Sequence, residues 1–227
     1  MSASITEALQ ARLQEGAAAM GLELSAPQLA QLMEFLALLQ KWNKVYNLTA
    51  VRDPQEMLTH HLLDSLAAVL PLRRHLAQLA QSGAVQGRGV RLLDVGSGGG
   101  LPGVVVAICC PGIDVSCVDA VSKKATFIQQ VAAELKLPNL HGVHSRVEQL
   151  SAEPFGVITS RAFASLLDFT TLTRQHLAPG AVWLAMKGQH PADEIAALPA
   201  DVTVFHVEQL RVPGLDAQRC IVWMKPY

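Results

Sequence analysis

Surplus charge is the first thing this chain lacks. Its 18 Lys and Arg against 19 Asp and Glu leave a formal net charge of −1. Composition therefore supplies no electrostatic case for a polyanionic partner, and any role with RNA must rest on particular residues. Cysteine is also scarce. The four present (Cys109, Cys110, Cys117, Cys220) form no C-x-x-C pair, which argues against a zinc ribbon or a disulfide framework and predicts buried free thiols. No apolar stretch is long enough to cross a bilayer, Leu101 to Cys110 being too short, and the residues after Met1 do not read as a signal peptide. A cytoplasmic protein without membrane attachment is predicted. Repeats and low-complexity tracts are missing. His60-His61 is no metal pair either, since adjacent helical residues project about 100° apart. The Asn47-Leu48-Thr49 sequon is chance in a reducing compartment.

What is present is apolar substance: half of the 227 residues are hydrophobic, enough for a sizeable core. Residues 1–85 read as a helical cap. Ile5, Leu9 and Leu13 keep helical spacing. Ser25, with Pro27 and Gln28 behind it, forms a capping box before a helix whose face is Leu29, Leu32, Met33, Leu36 and Leu39, running to about Trp42. Asp53-Pro54 starts another helix. The polar, glycine-rich Gln81 to Gly89 is the seam. From there residues 86–227 alternate strands and helices, the pattern of a parallel sheet. Strands are predicted at Val90–Val95, Asp114–Val118, Leu140–His144, Phe155–Thr159 and Ala181–Met186, with Val202–Gln209 and Arg219–Met224 as an antiparallel closing pair. Helices are predicted at Ser122–Leu137 and Ser165–Leu177. The fold class is α/β, a Rossmann-like, mostly parallel seven-stranded sheet with an N-terminal helical extension. Right-handed crossovers place a ligand at the carboxyl ends of its first four strands.

The organising stretch is Val90 to Gly103, V-R-L-L-D-V-G-S-G-G-G-L-P-G: a buried strand, a glycine turn, then Pro102 suited to a first helical turn. Two registers compete. Gly98, Gly100 and Gly103 spell the dinucleotide fingerprint G-x-G-x-x-G. Asp94, Gly96, Gly98 and Gly100 instead resemble motif I of class I S-adenosylmethionine-dependent methyltransferases. A pyrophosphate would be repelled by a carboxylate at the strand end. A methionine ammonium would be held by Asp94, directly or through water. The second register fits the acid better.

Carboxyl-end positions carry the remaining candidates. Asp119 ends the second strand about 25 residues after Asp94, near the spacing at which such sheets place an acid on ribose hydroxyls; capping the next helix is the plainer role. Ser145-Arg146-Val147-Glu148 follows the third strand, where a backbone N–H and an acid can meet an adenine edge. Arg161 follows the fourth and faces the acceptor cleft, with a surface salt bridge as the alternative. The chain there reads Ser160-Arg161-Ala162-Phe163, not the Asn/Asp-Pro-Pro-aromatic run common in methylation of exocyclic base amines. No Pro-Cys lies at a strand end to supply a nucleophile for carbon methylation. An acceptor with a free lone pair, such as guanine N7, needs neither, only in-line placement with water kept out. No catalytic residue is therefore assigned.

With these residues in place the chain resembles the bacterial small-subunit (16S) ribosomal RNA guanine-N7 methyltransferases, the family once called glucose-inhibited division protein B. The likeness runs from about Leu29 to Val222. It rests on K-W-N-K-V-Y-N-L-T-A-V-R-D-P (Lys41 to Pro54), H-L-L-D-S (His61 to Ser65), D-V-G-S-G-G-G-L-P-G (Asp94 to Gly103), L-K-L-P-N (Leu135 to Asn139), S-R-V-E (Ser145 to Glu148), S-R-A-F-A-S (Ser160 to Ser165) and M-K-G (Met186 to Gly188). Gly99 departs from it, many relatives carrying proline there. The resemblance implies S-adenosyl-L-methionine as cofactor, bound at Gly96, Leu101, Val147, Glu148 and Arg161, beside the turn's Gly98 and the strand-end Asp119. It also implies a guanine of small-subunit ribosomal RNA as substrate, presented as RNA or as a ribosomal particle. Lys187 and the helical N-terminal part become candidates for RNA phosphate, and Trp42 and Tyr46 for base stacking. Packing onto the sheet is the other reading of those two rings. A methyltransferase of small molecules or proteins, and a nucleotide-responsive module without catalysis, remain as alternatives.

Overall fold

The computed structural model describes residues 3–81, 89–161, 163 and 165–227. Helix α1 (Ala3–Ala19) buries Leu9, Leu13 and Ala17. Ser25 caps α2 (Ala26–Tyr46) in the predicted box: Gln28 N–H donates to Ser25 Oγ, and Ser25 N–H donates to Gln28 Oε1. The helix runs past Trp42 because nothing breaks it until Asn47, whose φ of 49° ends it in the left-handed region. Asn43 to Tyr46 therefore continues the helix predicted to end near Trp42. The next helical stretch comprises α3 (Pro54–Met57), a π-helical turn (Leu58–Leu63) and α4 (Asp64–Leu66); α5 (Val69–Gln81) follows.

The sheet unit then runs β1 (Arg91–Val95), α6 (Gly103–Cys109), β2 (Asp114–Asp119), α7 (Ser122–Glu134), β3 (Leu140–His144), β4 (Phe155–Ser160), α8 (Leu166–Thr173), β5 (Leu177–Lys187), α9 (Ala192–Ala196), β6 (Val202–Leu210) and β7 (Arg219–Pro226). The strand order is β3-β2-β1-β4-β5-β7-β6. All pairs are parallel except those of β7, which runs antiparallel between β5 and β6. This is the class I methyltransferase arrangement expected, an α/β sheet preceded by helices. The closing pair exists, and its insertion beside β5 is an addition to the expectation.

Two further predicted helix ends moved. α7 stops at Glu134 because Lys136 turns left-handed, at φ 53°. α8 stops at Thr173, and the Pro179-Gly180 breaker lies inside β5. There the β4–β5 register jumps from Phe155↔Leu177 to Val157↔Val182, so a bulge absorbs the turn-formers.

Strand alternation sends neighbouring residues to opposite layers. Leu92, Val115 and Val157 join the core that includes the N-terminal helices, α6 and α7. Leu93, Val118 and Ile158 join the core under α8. The cap and one face of the sheet thus share a single apolar cluster. The four cysteines are free and buried; desolvation pushes the Cys109 thiol up to about 12. Among the described residues no helix is long and apolar enough to cross a membrane, and no group of acidic, His and Cys side chains is placed to hold a metal. Most of the predicted seam, residues 82–88, lies outside the described residues.

Candidate cofactor and acceptor site

Strand order reverses at β1, which lies between β2 and β4, and a ligand crevice opens outside the carboxyl ends of strands at such a point. The glycine turn sits there. Gly96 and Ser97 N–H both donate to Val118 O (2.9 and 3.3 Å), and Gly100 N–H donates to Ser97 O (2.8 Å). Gly96 has φ +67°, and a Cβ built on it meets nothing within 4 Å. Its backbone therefore fronts open space that any side chain would enter. Gly103 is constrained from the other side: a Cβ would lie 2.3 Å from Cys117 Sγ and 2.9 Å from Asp94 Oδ2. Pro102 lies one residue before α6 rather than in its first turn.

Asp94 is fully buried. Its Oδ2 accepts the Gly103 N–H (2.8 Å), fastening the start of α6, while its Oδ1 has no hydrogen-bond partner among the described residues. Burial raises the carboxyl from 3.8 to about 7, with the Gly103 bond and Arg161 acting against the rise. Immediate contact with an ammonium is not open to so enclosed a side chain; ordered water or a shift of the turn has to mediate it.

Asp119 is committed in two directions. Its Oδ2 accepts Gly98 N–H (3.0 Å) and its Oδ1 accepts Val121 N–H (2.9 Å), with Lys124 Nζ 3.7 Å from Oδ2. The plainer role, fastening the start of α7, is thus present, joined to a hold on the glycine turn. A carboxylate keeps further lone pairs for hydroxyls. Asp119→Ala is expected to weaken cofactor binding about tenfold or more in calorimetry and to cost about 1–3 kcal/mol of stability, because two part-buried backbone N–H groups lose their acceptor.

After β3, Val147 and Glu148 occupy a short 3-10 turn, Val147 buried and Glu148 exposed. His176 Nε2 lies 2.7 Å from Val147 O, and Gln175 Nε2 donates to Glu148 O (3.2 Å). Ser145 N–H donates to Asp119 O (3.2 Å). This support by residues just after α8 was not visible in the sequence. Gly96, Gly98, Leu101, Asp119, Val147 and Glu148 therefore all stand at the carboxyl ends of β1, β2 and β3.

Arg161, just beyond β4, does not point away as a surface salt bridge would. Its Nη1 donates to His60 O (2.9 Å) and to Asp64 Oδ2 (3.1 Å). Asp64 is 3% exposed and also accepts Arg219 Nε on Oδ1 (2.8 Å). One carboxylate from the cap thus joins β4 to the start of β7. The sequence did carry a sign of this, an acid set among buried apolar residues in Leu62-Leu63-Asp64-Ser65-Leu66, but no partner could be read for it. His61 Nε2 lies 2.8 Å from Thr49 Oγ1. Desolvation, aided by Arg161, lowers its imidazole to about 4, so it is neutral. Lys187 Nζ, a phosphate candidate, is already bonded to Glu194 Oε2 (2.8 Å).

The tryptophan-bearing run is structural for the most part. Trp42 packs against Phe127 of α7 with ring centroids 5.5 Å apart. Asn43 ties the following loop, its Oδ1 accepting Thr49 N–H (2.9 Å) and its Nδ2 donating to Val51 O (3.2 Å). Tyr46, Lys41 and Lys44 remain exposed.

The profile of the GidB family, described as rRNA small subunit methyltransferase G, matches residues 28–222. A ribosomal RNA small subunit methyltransferase G of Acidovorax ebreus is 70% identical, over 100% of this chain and 99% of that protein. One of Paracidovorax citrulli is 66% identical over 97% of this chain and 91% of its own. Among solved structures, TrmN from Thermus thermophilus superposes with a TM-score of 0.52 at 17% identity, over 75% of this chain and 53% of its own, a likeness of fold alone. A full-length match at this identity, on a sheet whose glycine turn and strand ends carry the expected residues, places the chain in the rRNA small subunit methyltransferase G (GidB) family.

Proposed function

We propose that this protein transfers the methyl group of S-adenosyl-L-methionine to N7 of a guanine in small-subunit ribosomal RNA, in the cytoplasm, with residues 1–85 as a helical cap and 86–227 as the cofactor-binding unit. The observation that carries the reading is the acid–glycine turn: open space before the Gly96 backbone, and an unpartnered Asp94 Oδ1 behind it. When bound, the cofactor supplies an activated methyl on a sulfonium. The chain's residues do the rest. Gly96, Gly98 and Leu101 present backbone to the ligand, Asp119 offers its remaining lone pairs to ribose hydroxyls, and Val147 and Glu148 stand where the adenine would lie. Arg161 stands between this pocket and the cap. Cys117 and Cys220 are buried within β2 and β7. A ring nitrogen with a free lone pair needs no general base, so placement and exclusion of water suffice.

The test incubates purified protein and labelled cofactor with small ribosomal subunits, with RNA stripped from them, and with a metabolite extract, then maps the product by mass. One 7-methylguanine in the small-subunit RNA is expected. Label in metabolites or protein alone, no transfer to RNA, or binding of a nicotinamide dinucleotide in preference to S-adenosylmethionine would overturn the reading.

A further inference from the structure

A cavity of about 390 Å³ lies where β4 and β5 end and β7 begins, roofed by the π-helical turn and lined by His61, Asp64, Arg161, Lys187 and Arg219 among others. Its charges do not cancel. Lys187 is neutralised by Glu194, whereas Asp64 alone answers two guanidiniums, those of Arg161 and Arg219. One positive charge is left over. Arg219 spends Nε on Asp64 and Nη1 on Gln218 O (2.8 Å), and its Nη2 has no hydrogen-bond partner among the described residues. Arg161 uses Nη1 alone among the described residues. Sharing one buried carboxylate holds the two arginines side by side, so their remaining N–H groups are fixed before any ligand arrives. Paired, pre-oriented guanidiniums with a net charge of one match a singly charged phosphodiester, which they bind with directional hydrogen bonds. His61, neutral, lines the same wall, its Nδ1 buried and without a hydrogen-bond partner among the described residues. The volume lies within the range of small-molecule pockets and exceeds what a bare anion needs.

We propose that this cavity receives the target nucleotide of the RNA and that Arg219, held with Arg161 by Asp64, anchors the phosphate beside the base to be methylated. This rests on the RNA methyltransferase reading above, and the experiment separates the two. Arg219→Met keeps the aliphatic stem and removes the donors. For the variant, the KM for small subunits should rise about tenfold and the slope of log KM against log salt should fall by about one. The Kd for S-adenosylmethionine should stay within about twofold, and Arg219→Lys should recover part of the loss. A second measurement needs no catalysis: guanosine 5′-monophosphate should bind the wild type more tightly than guanosine, and Arg219→Met should erase the difference. Should Arg219→Met fail to fold, Arg219→Lys and the nucleotide pair on the wild type decide the question. Unchanged KM and salt slope in a folded variant, or equal affinity for guanosine and its 5′-monophosphate, would overturn the anchoring role while RNA methylation stood. No transfer to RNA, with an Arg219-dependent preference for the monophosphate, would overturn the RNA reading and leave the phosphate site.

Discussion

Gly96→Val is expected to lower the affinity for S-adenosylmethionine about a hundredfold or more while leaving the fold standing. The two effects separate because of where the residue sits. At φ +67° a side chain strains the backbone by about 1–2 kcal/mol, a small part of the stability of a domain this size. No protein atom obstructs a Cβ there, so no packing is lost. What a valine takes is the space in which backbone meets ligand, and at such close quarters displacement of even an ångström or so forfeits the contact. Calorimetric titration with the cofactor, beside melting curves with and without it, tests this. The melting temperature of the free protein should drop by only a few degrees, and its rise on adding cofactor should vanish. Gly112→Ala is the control, since a Cβ there also meets nothing within 4 Å and φ needs no adjustment. Retention of near-normal affinity by Gly96→Val would remove the turn from the cofactor site.

The second large effect is a pH dependence traceable to Asp94. Its carboxyl titrates near 7 in the folded chain, against 3.8 for an ordinary aspartate. Below 3.8 both folded and unfolded chains carry the proton, and burial costs nothing extra. As pH rises from there to about 7, the unfolded chain ionises first, so the folded state binds more protons and loses stability across that window. Above it the cost is complete, of the order of 4 kcal/mol for a shift of this size. Asp94→Asn removes the titration. Its amide still accepts the Gly103 N–H but leaves an unpartnered NH₂ where Oδ1 was, costing about 1–3 kcal/mol at every pH. The net gain at pH 8 is therefore modest, and the slope is the diagnostic: chemical denaturation from pH 4 to 8 should show wild-type stability falling and the variant nearly level in this respect. Cofactor binding should run the other way. If a bound ammonium keeps Asp94 ionised, wild-type affinity falls about tenfold between pH 8 and pH 6, and Asp94→Asn binds more weakly without that pH step. Parallel stability curves for the two proteins would show that Asp94 is not the titrating group.

The contrast between Asp94 and Asp64 shows what could be read without coordinates. Asp94 was visible because everything that gives it meaning lies within ten residues: an apolar strand before it, glycines after it, and a helix start at Gly103 that takes its Oδ2. Asp119 was visible by its distance along the chain, although the hold on Gly98 was not. The capping box at Ser25 is likewise local, three residues from acceptor to donor. Asp64 has partners 97 and 155 residues away, and nothing in its neighbours names them. The fate of Trp42 against Phe127, and of Lys187 on Glu194, depended in the same way on which surfaces came together.

Turn chemistry, capping and hydrophobic period act over one to ten residues. For that reason the order of residues alone settled the strands, the helix starts and the fold class, and brought the candidate cofactor residues into view. The proposed acceptor end is different in kind. It is assembled from the cap, β4, β5 and β7, after a crossover sets β7 between β5 and β6. Which charges are cancelled there and which stay open follows from distances between side chains far apart in the chain, and packing alone sets those distances.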